Sequence, residues 1–213
     1  MATWRSRAAS LLALLGLCVA LPVAAADLKE GTDFRVIRPP IMADRNRIEV
    51  TEFFWYGCPH CFDFEPIVAD WVKKLPPDVV FRRVPAVLPN GRWAPGARLY
   101  YTLEAMNLLG RLHTEAFNAI HVERKRLDEE KYIVEWVATK GVDPKQFTET
   151  WHSFAVQSQM QQARSTVLAA GVTGVPSVMV HGRYLALTGG SWNDFIANVE
   201  RLVDQVRVDA RMK

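Results

Sequence analysis

Residues 48–61 read Ile-Glu-Val-Thr-Glu-Phe-Phe-Trp-Tyr-Gly-Cys-Pro-His-Cys. The first nine are mostly β-branched or aromatic and contain no breaker, which predicts a buried strand over Ile48–Tyr56. Gly57 ends it. A helix then begins at or near Cys58, with Pro59 in the first turn, where a missing N–H costs nothing. Phe64, Ile67, Val68, Trp71, Val72 and Leu75 recur at helical spacing until Pro76-Pro77 stops the run, and Val79–Val84 reads as a second short strand. A CxxC set between strand and helix in a β–α–β order reads as a redox dithiol.

The chemistry follows from the position of the first sulfur. The thiolate, not the thiol, is the nucleophile. Cys58 lies at a helix N-terminus, where free N–H groups and the macrodipole favour an anion. Pro59 holds the turn, and His60 adds a positive charge or a donor beside the sulfur. Cys61, one turn further in, is expected to be the more buried. A stabilised Cys58 thiolate stabilises the reduced form and so makes the disulfide the stronger oxidant. As a staple the pair would close almost no loop and do little for folding. A zinc site needs about four ligands, and the chain has no second cysteine pair and only scattered histidines, so no metal is expected.

Working outward, residues 1–26 look like a secretory signal: Arg5 and Arg7, an apolar run from Ala8 to Leu21, then a small-x-small pattern at Ala24 and Ala26. The run is short of the roughly 20 apolar residues of a spanning helix. Cys18 lies inside it and leaves with it; Leu17 before it argues against lipidation. The mature chain then starts at Asp27 and keeps Cys58 and Cys61 as its cysteines, placed in an oxidising compartment. The whole chain carries 26 basic and 23 acidic residues; losing Arg5 and Arg7 leaves 24 against 23, which gives no case for nucleic-acid binding. With 49% apolar and 23% charged residues among 213, the chain is globular and large enough for a sizeable core.

Residues 93–170 change character and read as helices. Leu99, Leu103, Met106 and Leu109 predict one helix. Asp128 is expected to cap another carrying Tyr132, Ile133, Trp136 and Val137. Asp143-Pro144-Lys145-Gln146 has capping-box form. Val156, Met160, Ala163, Val167 and Ala170 mark a helix ending at Gly171. Strand signal then returns: Ser177–Val180 and Tyr184–Leu187 form a hairpin around His181-Gly182-Arg183. Ser191 and Asp194 cap a last helix, and Asp33–Ile37 adds an edge strand near the start. His113, His121, His152 and His181 read as solvated or capping residues. Trp71, Trp136, Trp151 and Trp192 read as core, and Arg124-Lys125-Arg126 as an exposed helix end. Neither strand group alone makes a stable sheet, so the two must pair. The expected fold is α/β, a mixed sheet interrupted by an all-helical insertion.

Glu52-Phe-Phe-Trp-Tyr-Gly-Cys-Pro-His-Cys61, with Gly174-Val175-Pro176 before a strand, resembles the DsbA family of the thioredoxin superfamily over nearly all of the mature chain. The resemblance implies a thioredoxin fold made of residues 27–92 and 171–213, with 93–170 as the helical insertion. It implies a periplasmic enzyme that introduces disulfides into unfolded exported proteins with free cysteines, is reoxidised by a DsbB-type membrane protein, and needs no cofactor beyond the Cys58–Cys61 disulfide. A monomer is the default expectation. A disulfide isomerase or reductase on the same fold, or a peptide-binding chaperone, are the other readings. By the same resemblance Pro176 is the cis-proline that faces the active site, and Val175 precedes it in the substrate-binding loop. Glu52, a carboxylate in a buried strand, is costly unless paired or functional. The family places an acid there for proton transfer. Arg83 stands where the family often has Lys and, unlike Lys, stays charged. Glu52 and Arg83 are thus either a proton relay or a structural ion pair.

Overall fold

The structure, a computed structural model, describes residues 28–87 and 91–211. The expected signal segment, with Cys18, lies outside the described residues. Five strands form one sheet: β1 (Phe34–Val36), β2 (Ile48–Phe54), β3 (Val79–Pro85), β4 (Ser177–Val180) and β5 (Tyr184–Ala186), in the order β1-β5-β4-β2-β3. β2 runs parallel to β3, joined through helix α1 (Pro59–Val72), and antiparallel to β4. The two strand groups do pair, with Glu52 opposite Val178. The 181–183 turn closes the β4–β5 hairpin, and β1 lies at the edge beside β5. Fold class is as the sequence implied: a thioredoxin-type sheet whose chain is interrupted by helices.

Those helices are α2 (Ala94–Ala105), α3 (Leu109–His121), α4 (Glu130–Thr139), α5 (Pro144–Trp151) and α6 (Phe154–Ala169), followed after the hairpin by α7 (Trp192–Arg211). Alternation along the strands sends side chains to two cores. Val50, Val178 and Val180 meet Phe64 and Val68 of α1 and Phe195 and Val199 of α7. Phe53, Met179 and Leu185 belong with buried residues of α2 through α6 to the second, larger core.

Two expectations of helix boundaries need correction. The single helix expected through Leu99 and Leu109 is broken: α2 ends at Ala105, Asn107 adopts φ 57°, and α3 starts at Leu109. Asn tolerates this left-handed conformation because its short polar side chain costs little there. Asp128 is not a cap; Glu129 occupies the N-cap of α4, and Asp128 pairs with Arg126. Elsewhere local chemistry acts as expected. Asp143 accepts from the Gln146 N–H at 2.7 Å, and Ser191 and Asp194 cap α7 reciprocally. Gly171 (φ 63°) terminates α6.

Candidate active site

β2 ends at Phe54, and the turn through Trp55-Tyr56-Gly57 delivers Cys58 to the N-cap of α1. Its backbone is extended there (φ −90°, ψ 117°), so its sulfur is free to meet the N–H groups of the first turn. Cys58 keeps 8% of its surface exposed while Cys61 keeps none, so an incoming sulfur reaches only the first. Both are free thiols in the structure.

The environment splits the two sulfurs. Cys58 is drawn down to about 6, first by the Cys61 thiol donating to it, then by the N–H groups of Cys61 and His60 and by His60 charge, all against the opposing effect of burial. Cys61 is pushed far up, first by burial and then by Cys58 itself. The helix terminus and His60 therefore contribute as expected, but the largest donor is the partner thiol. His60 is exposed, its ring 6.4 Å from Trp192, and Pro59 occupies the first helical position.

The 174–176 loop crosses in front of the pair. The Val175–Pro176 bond is cis, Pro176 is buried, and the Cys58 sulfur lies 3.4 Å from the Val175 carbonyl oxygen. The structure thus brings Val175, 117 residues away in sequence, onto the Cys58 sulfur, with the cis Pro176 next to it in the chain.

Beneath the cysteines lies a buried ionic chain. Glu52 (1% exposed) and Arg83 face each other across β2 and β3, with Arg83 Nε donating to Glu52 Oε2 at 3.0 Å. The same guanidinium donates to Glu65 Oε2 of α1 at 2.9 Å. Glu65 lies 3.4 Å from His113 Nε2, and His113 Nδ1 is 2.8 Å from the Tyr56 hydroxyl. One guanidinium between two carboxylates leaves the cluster one proton short of neutral. Burial raises the Glu52 carboxyl to about 7, with Glu65 adding to the rise and Arg83 opposing it. Burial holds His113 below its usual value despite Glu65. A neutral imidazole accepting the Tyr56 O–H at Nδ1 fits this geometry, because burial also keeps Tyr56 protonated.

His113 is therefore no solvated or capping residue but a buried member of the cluster, placed there because Leu112, Ala116 and Phe117 turn the same face of α3 inward. His121 is half-buried and donates from Nε2 to the Tyr56 carbonyl oxygen at 2.8 Å. Besides misplacing His113, the sequence reading assigned no role at the site to Glu65 or Tyr56. Glu65 carried a signal: it follows Phe64 on the apolar face of α1, one turn beyond Cys61. Trp55 and Trp93 were also overlooked; their rings stack in parallel at 4.8 Å beside Gly57. Among the described residues no group of three or more His, Cys, Asp or Glu side chains could hold a metal ion.

The chain that carries this low-pKa thiol, its fully buried partner and the cis-proline loop is similar to known proteins. A family model described as a DSBA-like thioredoxin domain matches residues 49–199. The thiol:disulfide interchange protein DsbA of Bordetella pertussis is 44% identical over 176 residues, covering 82% of this chain and 83% of its own. That of Pseudomonas aeruginosa is 37% identical over 188 residues, covering 87% and 89%. The crystal structure of Pseudomonas aeruginosa DsbA superposes with a TM-score of 0.83 at 37% identity, covering 88% of this chain and 98% of that one. The oxidoreductase DsbA from Xylella fastidiosa gives a TM-score of 0.80 at 32% identity, covering 85% and 98%.

Proposed function

Since this chain belongs to the DSBA-like thioredoxin domain family and is a thiol–disulfide oxidoreductase, we propose that it runs as a dithiol oxidase, with Cys58 as the attacked sulfur and Cys61 as the buried partner. A client thiolate attacks Cys58 Sγ; the new S–S bond forms as the Cys58–Cys61 bond breaks, and Cys61 leaves as a thiolate. Glu52 hands a proton to Cys61 in this step. A second client thiolate then attacks the client sulfur of the mixed disulfide, and Cys58 departs as a thiolate. Two client thiols are oxidised by two electrons, and the enzyme pair is reduced.

The observation that carries this direction is the separation of the two sulfurs: a leaving group with a pKa of about 6 departs readily. Pro59 fixes the first turn, His60 contributes charge, and Val175 and Pro176 receive the client backbone beside Cys58. Arg83 anchors Glu52 and keeps its carboxyl within the neutral range. Residues 27–92 and 171–213 act as the redox unit and 93–170 as a cover over it. The clients are unfolded exported proteins in the periplasm, where residues 1–26 would direct the chain, and a DsbB-type membrane protein returns the pair to the disulfide. Among the described residues no helix is long and apolar enough to cross a membrane. The chain acts as a monomer.

Equilibration with glutathione buffers tests the direction. The expected outcome is a pair far more oxidising than glutathione; a potential as reducing as that of thioredoxin would overturn it.

A further inference from the structure

Next to Cys58 in the chain, a recess of about 250 Å³ opens between the Trp55-Tyr56-Gly57 turn, the start of α2 and the segment after α3. Its inner wall is apolar: Trp55, Ile120 and the buried Leu127. The Trp55 ring packs so closely over Gly57 that a Cβ there would come within 2.4 Å of it, and Trp93 stacks flat on the same ring with the planes 1° apart. The recess is therefore preformed, sized for one large side chain, and begins one residue before Cys58.

Its exposed rim is charged. Lys125 is paired with Glu123 at 2.7 Å, and Arg126 with Asp128 at 3.1 Å and with Glu129. Arg92, on the same rim, makes no ion pair among the described residues. The local acids are thus engaged by the other two cations, and Arg92 is left to attract an anion from outside.

We propose that this recess is a client subsite: it takes one apolar side chain from the polypeptide that carries the reacting cysteine, and Arg92 favours an acidic residue beside that side chain. The proposal deepens the oxidase reading and rests on it. The occupant is a client segment because the recess is lined by Trp55, Tyr56 and Gly57, the three residues that lead directly into Cys58, which the client must reach. Filling a preformed apolar pocket with one side chain discriminates by about tenfold or more.

The test uses oxidised full-length mature protein and two-cysteine peptides in which positions flanking one cysteine are scanned with Gly or Phe, and the next position with Asp or Lys. The wild type should oxidise the best-placed Phe peptide about tenfold faster, in kcat/KM, than its Gly counterpart, and the Asp form faster than the Lys form. Leu127→Trp, which fills the recess, should bring the Phe-to-Gly ratio close to one. Arg92→Glu, a surface change that tests the rim even if the Leu127 variant fails to fold, should reverse the Asp-over-Lys order. Equal rates for all peptides in the wild type, or an unchanged Asp-to-Lys ratio in Arg92→Glu, would overturn the subsite. Failure to oxidise dithiothreitol as well as every peptide would instead overturn the oxidase reading.

Discussion

Three groups hold the Cys58 thiol below its ordinary value: the Cys61 thiol first, then the N–H groups of Cys61 and His60. Backbone donors survive any side-chain change, so substitutions can be ranked. Cys61→Ala removes the largest contribution and should raise the Cys58 pKa from about 6 toward 9, the value of an ordinary thiol. Cys61→Ser keeps a hydroxyl donor and should raise it less. Thiolate ultraviolet absorbance against pH reads both, and no rise in Cys61→Ala would contradict the assignment of the largest donor. The sign of the pH effect follows from a lowered pKa. Stabilisation of the reduced form is complete above 9 and is lost as pH falls through about 6; at pH 7 it amounts to about one pK unit, on the order of 1.4 kcal/mol or about 30 mV. Denaturant melts of the reduced protein should accordingly show its stability declining, relative to the disulfide form, between pH 9 and pH 5.

Between elements, the two carboxylates and one guanidinium tie β2, β3 and α1 into one buried unit. Arg83→Met leaves Glu52 and Glu65 facing each other with no cation between them. That should cost about 3–5 kcal/mol in urea unfolding at neutral pH; a loss below about 1 kcal/mol would mean that the cluster relaxes freely. Glu52 itself works against stability when ionised. Its carboxyl is raised from 4.5 to about 7, so the contribution present below 4.5 is lost as pH rises through 7. Glu52→Gln should flatten the fall in unfolding free energy across that interval. In single-turnover assays the same variant should also slow the release of Cys61 from the disulfide, because a neutral amide has no proton to hand over. An unaltered pH profile would leave Glu52 and Arg83 as an ion pair only.

Across the whole molecule, the larger core runs without a break from Phe53 and Met179 in the sheet to Ile133, Trp136, Phe147 and Trp151 in α4 and α5. A helical unit that shares its apolar contacts with the sheet cannot unfold without exposing the sheet's own residues. Helical and redox segments should therefore unfold together. Tryptophan fluorescence, to which buried Trp136 and Trp151 of the helical segment contribute, and far-ultraviolet circular dichroism should give coincident urea transitions. Two separated transitions would show that residues 93–170 fold as an independent domain. The same continuity ties His113 and His121 of α3 to Tyr56, two residues before the reactive cysteine.

Local sequence determined much of this protein. The β–α–β order around Cys-Pro-His-Cys, the caps at Asp143 and Ser191, the stop at Gly171 and the β4–β5 hairpin all follow from interactions within a few residues, and such interactions are written in the order of the chain. The break at Asn107 escaped because periodicity from Leu99 to Leu109 carries across a single left-handed residue unnoticed. What only the tertiary structure decided are the contacts whose partners lie on different elements. Val175 meets Cys58 across 117 residues. Arg83 is shared by two carboxylates, and Trp93 stacks on Trp55. A polar side chain on an apolar face reads from sequence only as an anomaly. Whether it ends in water or, like His113, in a buried hydrogen bond depends on what the folded chain brings opposite it.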